Sequence, residues 1–276
     1  MPSEKTPVGV YTIKKKDGTT SYRASVTVHD KHISLGSYKT GAFAHSAYLE
    51  AKKILSEDRT IEDYAEDLKE GKGKKKNPLS FEKIVVLVNV RDNGVYIKTP
   101  IYLGKRSFSY YYDTETRFTF DVDDLFYYSN HKIMKRGTHL FVADYGMQVS
   151  ILSRYGIRAH AVKNRDYVFV NGDETDLRYG NIRIINRYNG VTKDIHRGRE
   201  RYTAKIHVNG DVIIGRYPTE TEAAAAYNKA IMILKKKGVK TEYRENYIEG
   251  LSDLEYMALL NRLRISEAIR EYPSLV

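Results

Sequence analysis

The chain has 276 residues and carries 46 Lys and Arg against 35 Asp and Glu, a formal net charge of +11. Its length exceeds the usual size of one domain, so we expect two or three modules. The absence of Cys excludes disulfides and thiolate metal sites. No apolar run has membrane-spanning length, and the segment MPSEKTPVGV lacks the apolar stretch of a signal peptide, which predicts a cytoplasmic protein with no membrane partner.

The positive charge is unevenly distributed along the chain. Lys and Arg against Asp and Glu number 10 and 10 in residues 1–68, 5 and 1 in 69–79, 15 and 12 in 80–186, 13 and 7 in 187–246, and 3 and 5 in 247–276. The excess therefore lies in a short linker and in one late module. A basic surface is what a polyanionic partner such as nucleic acid requires, although many basic proteins bind none.

An internal repeat brackets the chain. The first copy, GVYTIKKKDGTTSYRASVTVHDKHISLGSYKTGAFAHSAYLEAKKIL, begins at Gly9, and the second, GVTKDIHRGRERYTAKIHVNGDVIIGRYPTETEAAAAYNKAIMIL, begins at Gly190. The copies align with few gaps, and Tyr38 of the first corresponds to Tyr217 of the second. Such self-similarity predicts one architecture for both copies.

Each copy predicts three short strands followed by a helix. The segment SYRASVTV alternates with period two, which places Arg23, Ser25 and Thr27 on one face of a strand. The dipeptides DG and NG mark turns. Thr219, followed three residues later by Glu222, predicts a capping box that starts a helix, and this helix would cover one face of the sheet and leave the other open.

The order G-V, Y-x-A-x-I/V, L/I-G-x-Y and T-x-x-x-A-x-x-A-Y in both copies resembles the plant Apetala-two/ethylene-response-factor DNA-binding domain, which also occurs in phage and bacterial proteins. The resemblance implies that the open sheet face enters the major groove of DNA. The implied reading faces are Thr192, Asp194, Lys205, His207, Asp211 and Ile213 in the second copy, and Tyr11, Ile13, Ser25, Thr27, His32 and Ser34 in the first. Further candidate contacts beside these faces are Lys193, Arg197, Arg199 and Arg201, and Lys14 and Arg23.

Both copies depart from the plant pattern, which uses several Arg and Trp on this face. The chain contains no Trp, so base preferences do not carry over. The alternative is that one or both copies are only packing modules, and it applies more to the first copy, whose face carries little positive charge.

Residues 69–79 lie in a polar, Gly-interrupted segment that cannot bury a core, so they predict a linker. Lys74, Lys75 and Lys76 are candidate phosphate contacts in it. The alternative is a solvated tether.

The segment DYVFVNGDETDLRYGNIRIIN, residues 166–186, resembles the central motif of HNH homing endonucleases, V-D-H-x-D/N-G-D/N-x-x-D/N-N-R-x-x-N-L-R. The corresponding residues are Val168, Asn171, Gly172, Asp173, Asp176, Leu177, Arg178, Asn181, Ile182 and Arg183. The position of the family's central His is occupied by Phe169, and the position of its upstream His corresponds to Val149. Metal-assisted hydrolysis needs a base and cation ligands, so we expect a scaffold without catalysis, metal or cofactor.

The remaining histidines of the middle region, His131, His139 and His160, occupy no motif position. Asp and Asn bond local backbone groups in turns, which is a structural reason to retain the loop. The segments KIVVLVNV, SFSYYYDTETRFTFDVDD and THLFVADYG predict strands. In the net acidic tail, Ser252 predicts a helix N-cap, and Leu254, Met257, Ala258 and Leu260 predict an apolar stripe that packs on protein or mediates self-association instead of touching phosphate.

Together these observations predict an α+β protein in which two small domains of a three-stranded sheet and a helix, 1–68 and 187–246, flank a degenerate HNH-like (ββα) domain, 80–186, with a linker at 69–79 and a helical tail at 247–276. The predicted function is sequence-directed binding of double-stranded DNA by a nucleoid-associated phage or mobile-element regulator that is not an enzyme. Two alternatives stay open: a divergent active HNH endonuclease that uses displaced ligands, and a factor that binds a host protein. The oligomeric state is left open.

Overall fold

The computed structural model describes residues 6–70 and 77–274. These residues form a mixed α and β protein with seven helices, four three-stranded sheets and one two-stranded sheet, which confirms the predicted mixture. Within the described ranges, no helix is long and apolar enough to cross a membrane.

Contacts divide the chain into two compact units, one comprising Met1–Val149 and Asn171–Asn181, the other Ser150–Val170 and Ile182–Val276. The strands begin in the first unit with β1 Val10–Lys14, β2 Thr20–Val28, β3 Lys31–Tyr38, β4 Ile101–Leu103, β5 Ser107–Tyr111, β6 Arg117–Asp121, β7 Ile133–Arg136, β8 His139–Asp144 and β9 Met147–Ser150. Its helices are α1 Gly41–Ser56, α2 Ile61–Lys69, α3 Phe81–Asn93 and α4 Leu125–Tyr128. The second unit contains β10 Tyr167–Phe169, β11 Ile182–Ile184, β12 Val191–His196, β13 Arg199–His207, β14 Asp211–Tyr217, α5 Glu220–Lys236, α6 Asp253–Arg262 and α7 Glu267–Arg270.

The two repeats form the same arrangement. Strands β1-β2-β3 make an antiparallel sheet covered on one face by α1, and β12-β13-β14 make another covered by α5. The contact face of each helix is rich in Ala, which lets the helix lie close to the strands. The buried residues there include Ala44, Ala47 and Ala51 in α1 and Ala223, Ala226 and Ala230 in α5.

Both helices begin after a threonine, as predicted for Thr219. The hydroxyl of Thr40 accepts a hydrogen bond from the Phe43 N–H at 3.2 Å, and that of Thr219 accepts one from the Glu222 N–H at 3.2 Å. The expected capping box at Thr219 is only half formed, and Glu222 Oε1 accepts a hydrogen bond from Arg262 at 3.1 Å.

A β-bulge interrupts both sheets at the same place. Ala204 lies opposite Gly215 whereas the next residue, Lys205, lies opposite Ile213, so β14 contains one extra residue. The first repeat has the same irregularity between Ala24 and Ser25. Beyond the bulge, the residues of the third strand that share the open face differ from those that simple alternation predicts.

Each repeat also holds a later segment of its chain through the tyrosine that ends its third strand. The Tyr38 hydroxyl donates to the Pro78 carbonyl at 2.9 Å, and the Tyr217 hydroxyl donates to the Arg264 carbonyl at 2.8 Å. A Cβ at Gly215 would lie 2.4 Å from the Tyr217 hydroxyl, so the ring requires glycine two residues before it.

The segment KIVVLVNV was expected to be a strand, and that prediction is wrong. It lies in α3, where all residues from Ile84 to Val90 are buried, including Asn89. The helix ends at Gly94 in the left-handed conformation, with φ 69°. A helix buried on every side shows no period of 3.6, so its β-branched residues resemble a buried strand. The strands predicted in the next two segments are confirmed as β5, β6 and β8.

The C-terminal helices pack on the second repeat. Ser252 caps α6 in a capping box with Glu255, as predicted. The buried residues are Leu259 and Leu260, while Leu254 is 84% exposed and Met257 is 54% exposed. The predicted apolar stripe was therefore wrong at Leu254, Met257 and Ala258, all of which are exposed, although the tail does pack on protein through other residues.

A buried ion cluster stabilises the start of the second unit. The Asp166 side chain is fully buried and accepts hydrogen bonds from Arg158 Nη2 at 2.8 Å, Arg165 Nη2 at 2.8 Å and the Val162 N–H at 2.7 Å. Burial alone would raise the pKa of Asp166, but the hydrogen bonds from Arg165 and Val162 and the charge of Arg158 together hold it below its ordinary value.

Candidate nucleic-acid interface

The face of the second sheet opposite α5 is open and polar. Thr203 and Lys205 of the central strand lie opposite Arg216 and Ile213 of β14 in the strand register. The alternate residues, such as Ala204 and Ile206, are buried. The residues of this open face are Thr192, Asp194, Arg201, Thr203, Lys205, His207, Asp211, Ile213 and Arg216.

Asp194 of β12 orients side chains on the part of this face formed by β12 and β13. Its carboxylate accepts hydrogen bonds from Arg201 Nε at 3.0 Å and from the Thr203 hydroxyl at 3.1 Å. The hydrogen bond from Arg201 is the main cause that lowers the pKa of Asp194, and the charge of Arg216 contributes. Arg201 is therefore held in one orientation, and Arg216 lies close enough to affect the same carboxylate.

Asp211, at the start of β14, binds two side chains of the central strand β13. Lys205 Nζ lies 3.1 Å from Asp211 Oδ2, and His207 Nδ1 lies 3.1 Å from Asp211 Oδ1. The hydrogen bond from His207, followed by that from Lys205, lowers the pKa of Asp211. The side chain of His207 is 73% exposed. Lys205 and His207 thus lie on the surface as expected, each paired with the same carboxylate.

The β12–β13 hairpin ends in a two-residue turn. Arg197 has φ 51° and Gly198 has φ 77°, the left-handed pair typical of tight hairpins. Arg197 and Arg199 are exposed, and no acidic side chain among the described residues forms an ion pair with either. At this tip the positive charge is not locally neutralised.

Lys193 occupies the other face. It lies opposite Tyr202, which packs against the core of the second unit, and its ammonium pairs with Glu200. Thr192, its neighbour, shares the open face, and its hydroxyl lies 3.5 Å from the Thr203 carbonyl oxygen.

The open face of the first sheet is mostly neutral. The rings of Tyr11 and His32 meet edge to face at 6.0 Å, and His32 Nδ1 lies 3.4 Å from the Thr27 hydroxyl. Lys14 and Arg23 are exposed. Ser25 was expected to be exposed and is instead 3% exposed, since it lies in the central strand at the bulge, where its N–H donates to the Gly9 carbonyl at 3.0 Å. Lys74, Lys75 and Lys76 lie outside the described residues.

The residues at the positions that resemble the HNH motif form hydrogen bonds with one another. The Asn181 side chain accepts a hydrogen bond from the Asn171 N–H at 2.8 Å and donates to the carbonyls of Asp176 at 2.7 Å and Asp173 at 3.1 Å. The Asp176 carboxylate accepts from Arg178 Nε at 2.8 Å and from the Asn171 amide at 2.9 Å. The hydrogen bond from Arg178 is the main cause that lowers the pKa of Asp176. These hydrogen bonds hold residues 171–181 together as a closed loop.

The positions that would carry His in the family contain half-buried apolar side chains. Phe169 packs edge to face against Tyr167 in β10, and Val149 lies in β9. Strand β11 leads into β12, so the β10–β11 hairpin is not followed by a helix as in a ββα unit. His160 is exposed in a turn with φ 62°. Among the described residues, no group of three or more His, Asp and Glu is arranged to hold a metal ion.

Arg216 is a member of the open face that strand alternation does not predict. Alternation from Ile213 places Gly215 there, and only the extra residue of the bulge brings Arg216 to that face. The signal was the glycine at position 215, because an isolated Gly inside a strand pattern indicates a bulge.

No family model, no curated protein and no solved structure matches this chain.

Proposed function

We propose that the protein binds double-stranded DNA in a sequence-directed manner, as a regulator of transcription or of another DNA transaction, and that the second repeat makes the main contact. One observation carries the proposal: an uncovered antiparallel sheet face that presents Arg201, Lys205, His207 and Arg216 beside an arginine hairpin tip.

The dimensions suit the major groove. Three strands spaced about 4.8 Å apart span about 10 Å between the outer strand axes, and the groove is roughly 12 Å wide. Helix α5 covers the opposite face, so it would not obstruct this approach. The face therefore fits readout by strands, one of the known docking geometries.

The open sheet face and the hairpin tip suit different contacts with DNA. Arg201 uses Nε and Nη2 to bind Asp194, which leaves Nη1 to donate to an acceptor on a base edge. Arg197 and Arg199 at the hairpin tip suit backbone phosphates, since phosphate contacts position a protein and base contacts specify the sequence.

We further infer that the HNH-like segment is a scaffold and does not cut DNA. Asn171, Asp176, Arg178 and Asn181 satisfy one another in the loop. Phe169 and Val149 provide neither a base nor a ligand.

The binding proposal is tested by fluorescence anisotropy with duplexes enriched from a random library, comparing the protein with the R197Q/R199Q variant. Loss of two phosphate contacts should reduce the slope of log affinity against log salt by about 1.8, which corresponds to about 30-fold weaker binding at about 0.15 M salt. The matched control, K236Q/K240Q, removes the same charge from exposed residues at and after the end of α5 and should leave the slope unchanged. Equal losses in both variants would mean nonspecific electrostatics, and absence of duplex binding would favour a host-protein partner.

The scaffold proposal is tested by incubating an enriched duplex with the protein and Mg²⁺ or Mn²⁺. We expect both strands to stay intact. Metal-dependent nicking that H160A abolishes would instead identify an active nuclease with a displaced histidine.

A further inference from the structure

An open cleft of about 680 Å³ lies at the edge of the second sheet, between β14 and the segment that follows α6. Three arginines line it, Arg216 from β14 and Arg262 and Arg264 from the C-terminal tail. The other charged residue in its lining is Glu222. The cleft therefore carries a net positive charge, on the strand that contributes Arg216 to the open face.

The tail is fixed along this edge by hydrogen bonds and by burial. The Ser266 N–H donates to the Ile214 carbonyl at 2.8 Å and its hydroxyl donates to the Ile213 carbonyl at 2.8 Å. Leu263 and Ile265 are buried in the core, whereas Arg264 between them is exposed. Alternation along the segment thus directs the Arg264 side chain to solvent while its carbonyl accepts the hydrogen bond from Tyr217 at 2.8 Å.

The three arginine side chains differ in their hydrogen-bond and ion-pair partners. Arg262 is 69% exposed and donates to Glu222 Oε1 at 3.1 Å. The side chain of Arg264 forms no hydrogen bond or ion pair within the described part of the chain. Arg216 affects the pKa of Asp194 through its charge, which connects the cleft with the reading face.

We propose that this cleft contacts the phosphodiester backbone of the bound duplex, through Arg216 and Arg264 with Arg262 beside them, and that the C-terminal tail is therefore part of the DNA interface. This inference rests on the proposed function. A duplex seated on the open face brings one of its backbones past the edge strand β14, where guanidinium groups suit phosphate oxygens in bidentate geometry. The net acidic tail was expected to avoid phosphate, but its basic residues at 262 and 264 lie at this edge.

The first repeat provides an internal comparison. It has the same tyrosine-held segment along its third strand, but Ser37 stands opposite Arg23 where Arg216 stands opposite Thr203. Its tyrosine donates to the carbonyl of Pro78, where the second repeat has Arg264. The first repeat has the same architecture without these arginines, which indicates that the tyrosine-held segment does not need them for folding.

The test uses the full chain and an enriched duplex. R216Q/R264Q should reduce the salt slope by about 1.8 and weaken binding about 30-fold at about 0.15 M salt, with the thermal unfolding midpoint unchanged because both side chains are exposed. The matched control is again K236Q/K240Q. E222Q should act in the opposite direction and tighten binding, since it removes the negative charge from the cleft while its amide oxygen still accepts from Arg262.

The outcomes separate this inference from the proposed function. If the unaltered protein binds the duplex and R216Q/R264Q binds with the same affinity and slope as the control, the tail is outside the interface and this inference is wrong. E222Q with unchanged affinity would also contradict it. If the unaltered protein binds no duplex, the proposed function itself fails.

Discussion

Replacing Asn181 by Ala tests whether the loop of residues 171–181, which resembles part of the HNH motif, has a structural role. Asn181 is 6% exposed, and its amide makes three hydrogen bonds to the loop. At about 0.5–1.5 kcal/mol for each net hydrogen bond, and with the Asn171 N–H left without its partner, the loss should be about 2–4 kcal/mol. With a urea m-value of about 2 kcal/mol/M, the midpoint for the first unit should fall by about 1–2 M.

Urea unfolding followed by circular dichroism measures this change. The control is E174A, a change at an exposed position in the same loop, which should alter stability by about 0.5 kcal/mol or less. An N181A midpoint equal to that of the unaltered protein would refute the structural role of the motif. Duplex binding by N181A, measured under conditions where it is folded, should remain.

Three further changes are expected to have distinct effects. D166A should destabilise the second unit by about 3–5 kcal/mol, because it leaves the half-buried Arg158 without its carboxylate. Since the pKa of Asp166 is lowered on folding, its contribution should be present above the unfolded pKa of about 3.9 and be lost as pH falls through the lower folded value, measured as thermal midpoint against pH. D211N should tighten duplex binding in anisotropy, because Lys205 would no longer share its charge with a carboxylate, and weaker binding would contradict that arrangement. K14Q/R23Q should leave the salt slope within about 0.5 of the original, whereas a fall of about 1.8 would place the first sheet on DNA as well.

The repeat was the most predictable part of the fold. Strand alternation, turn dipeptides and the threonines before each helix are local signals, and strands and helices formed where these signals placed them. Helix α3 was not predictable in this way. Its burial on all sides comes from packing against other elements, so tertiary structure overrides the strand preference of its valines.

The candidate site was predictable in type and less so in its members. Thr192, Lys205 and His207 lie on the open face as the alternation indicated. Arg216 is on the face because a bulge changes the phase of the third strand relative to its neighbour. Ser25 keeps the expected phase, but its small side chain in the central strand is buried. A one-residue shift reverses the face of every following side chain, and strand pairing is not readable from one strand alone.

The two repeats share one fold but differ in the side chains of their open faces. Folding requires the elements they share: the Ala-rich helix face, the bulge, and the tyrosine that holds a later segment to the third strand. None of these uses the open face, so substitutions there cost little stability. In the first copy that face carries Thr27 and His32 bonded to each other, and in the second it carries arginines oriented by carboxylates. The repeat pattern therefore predicts the architecture of both copies, whereas the charge of each open face depends on residues that the pattern does not include.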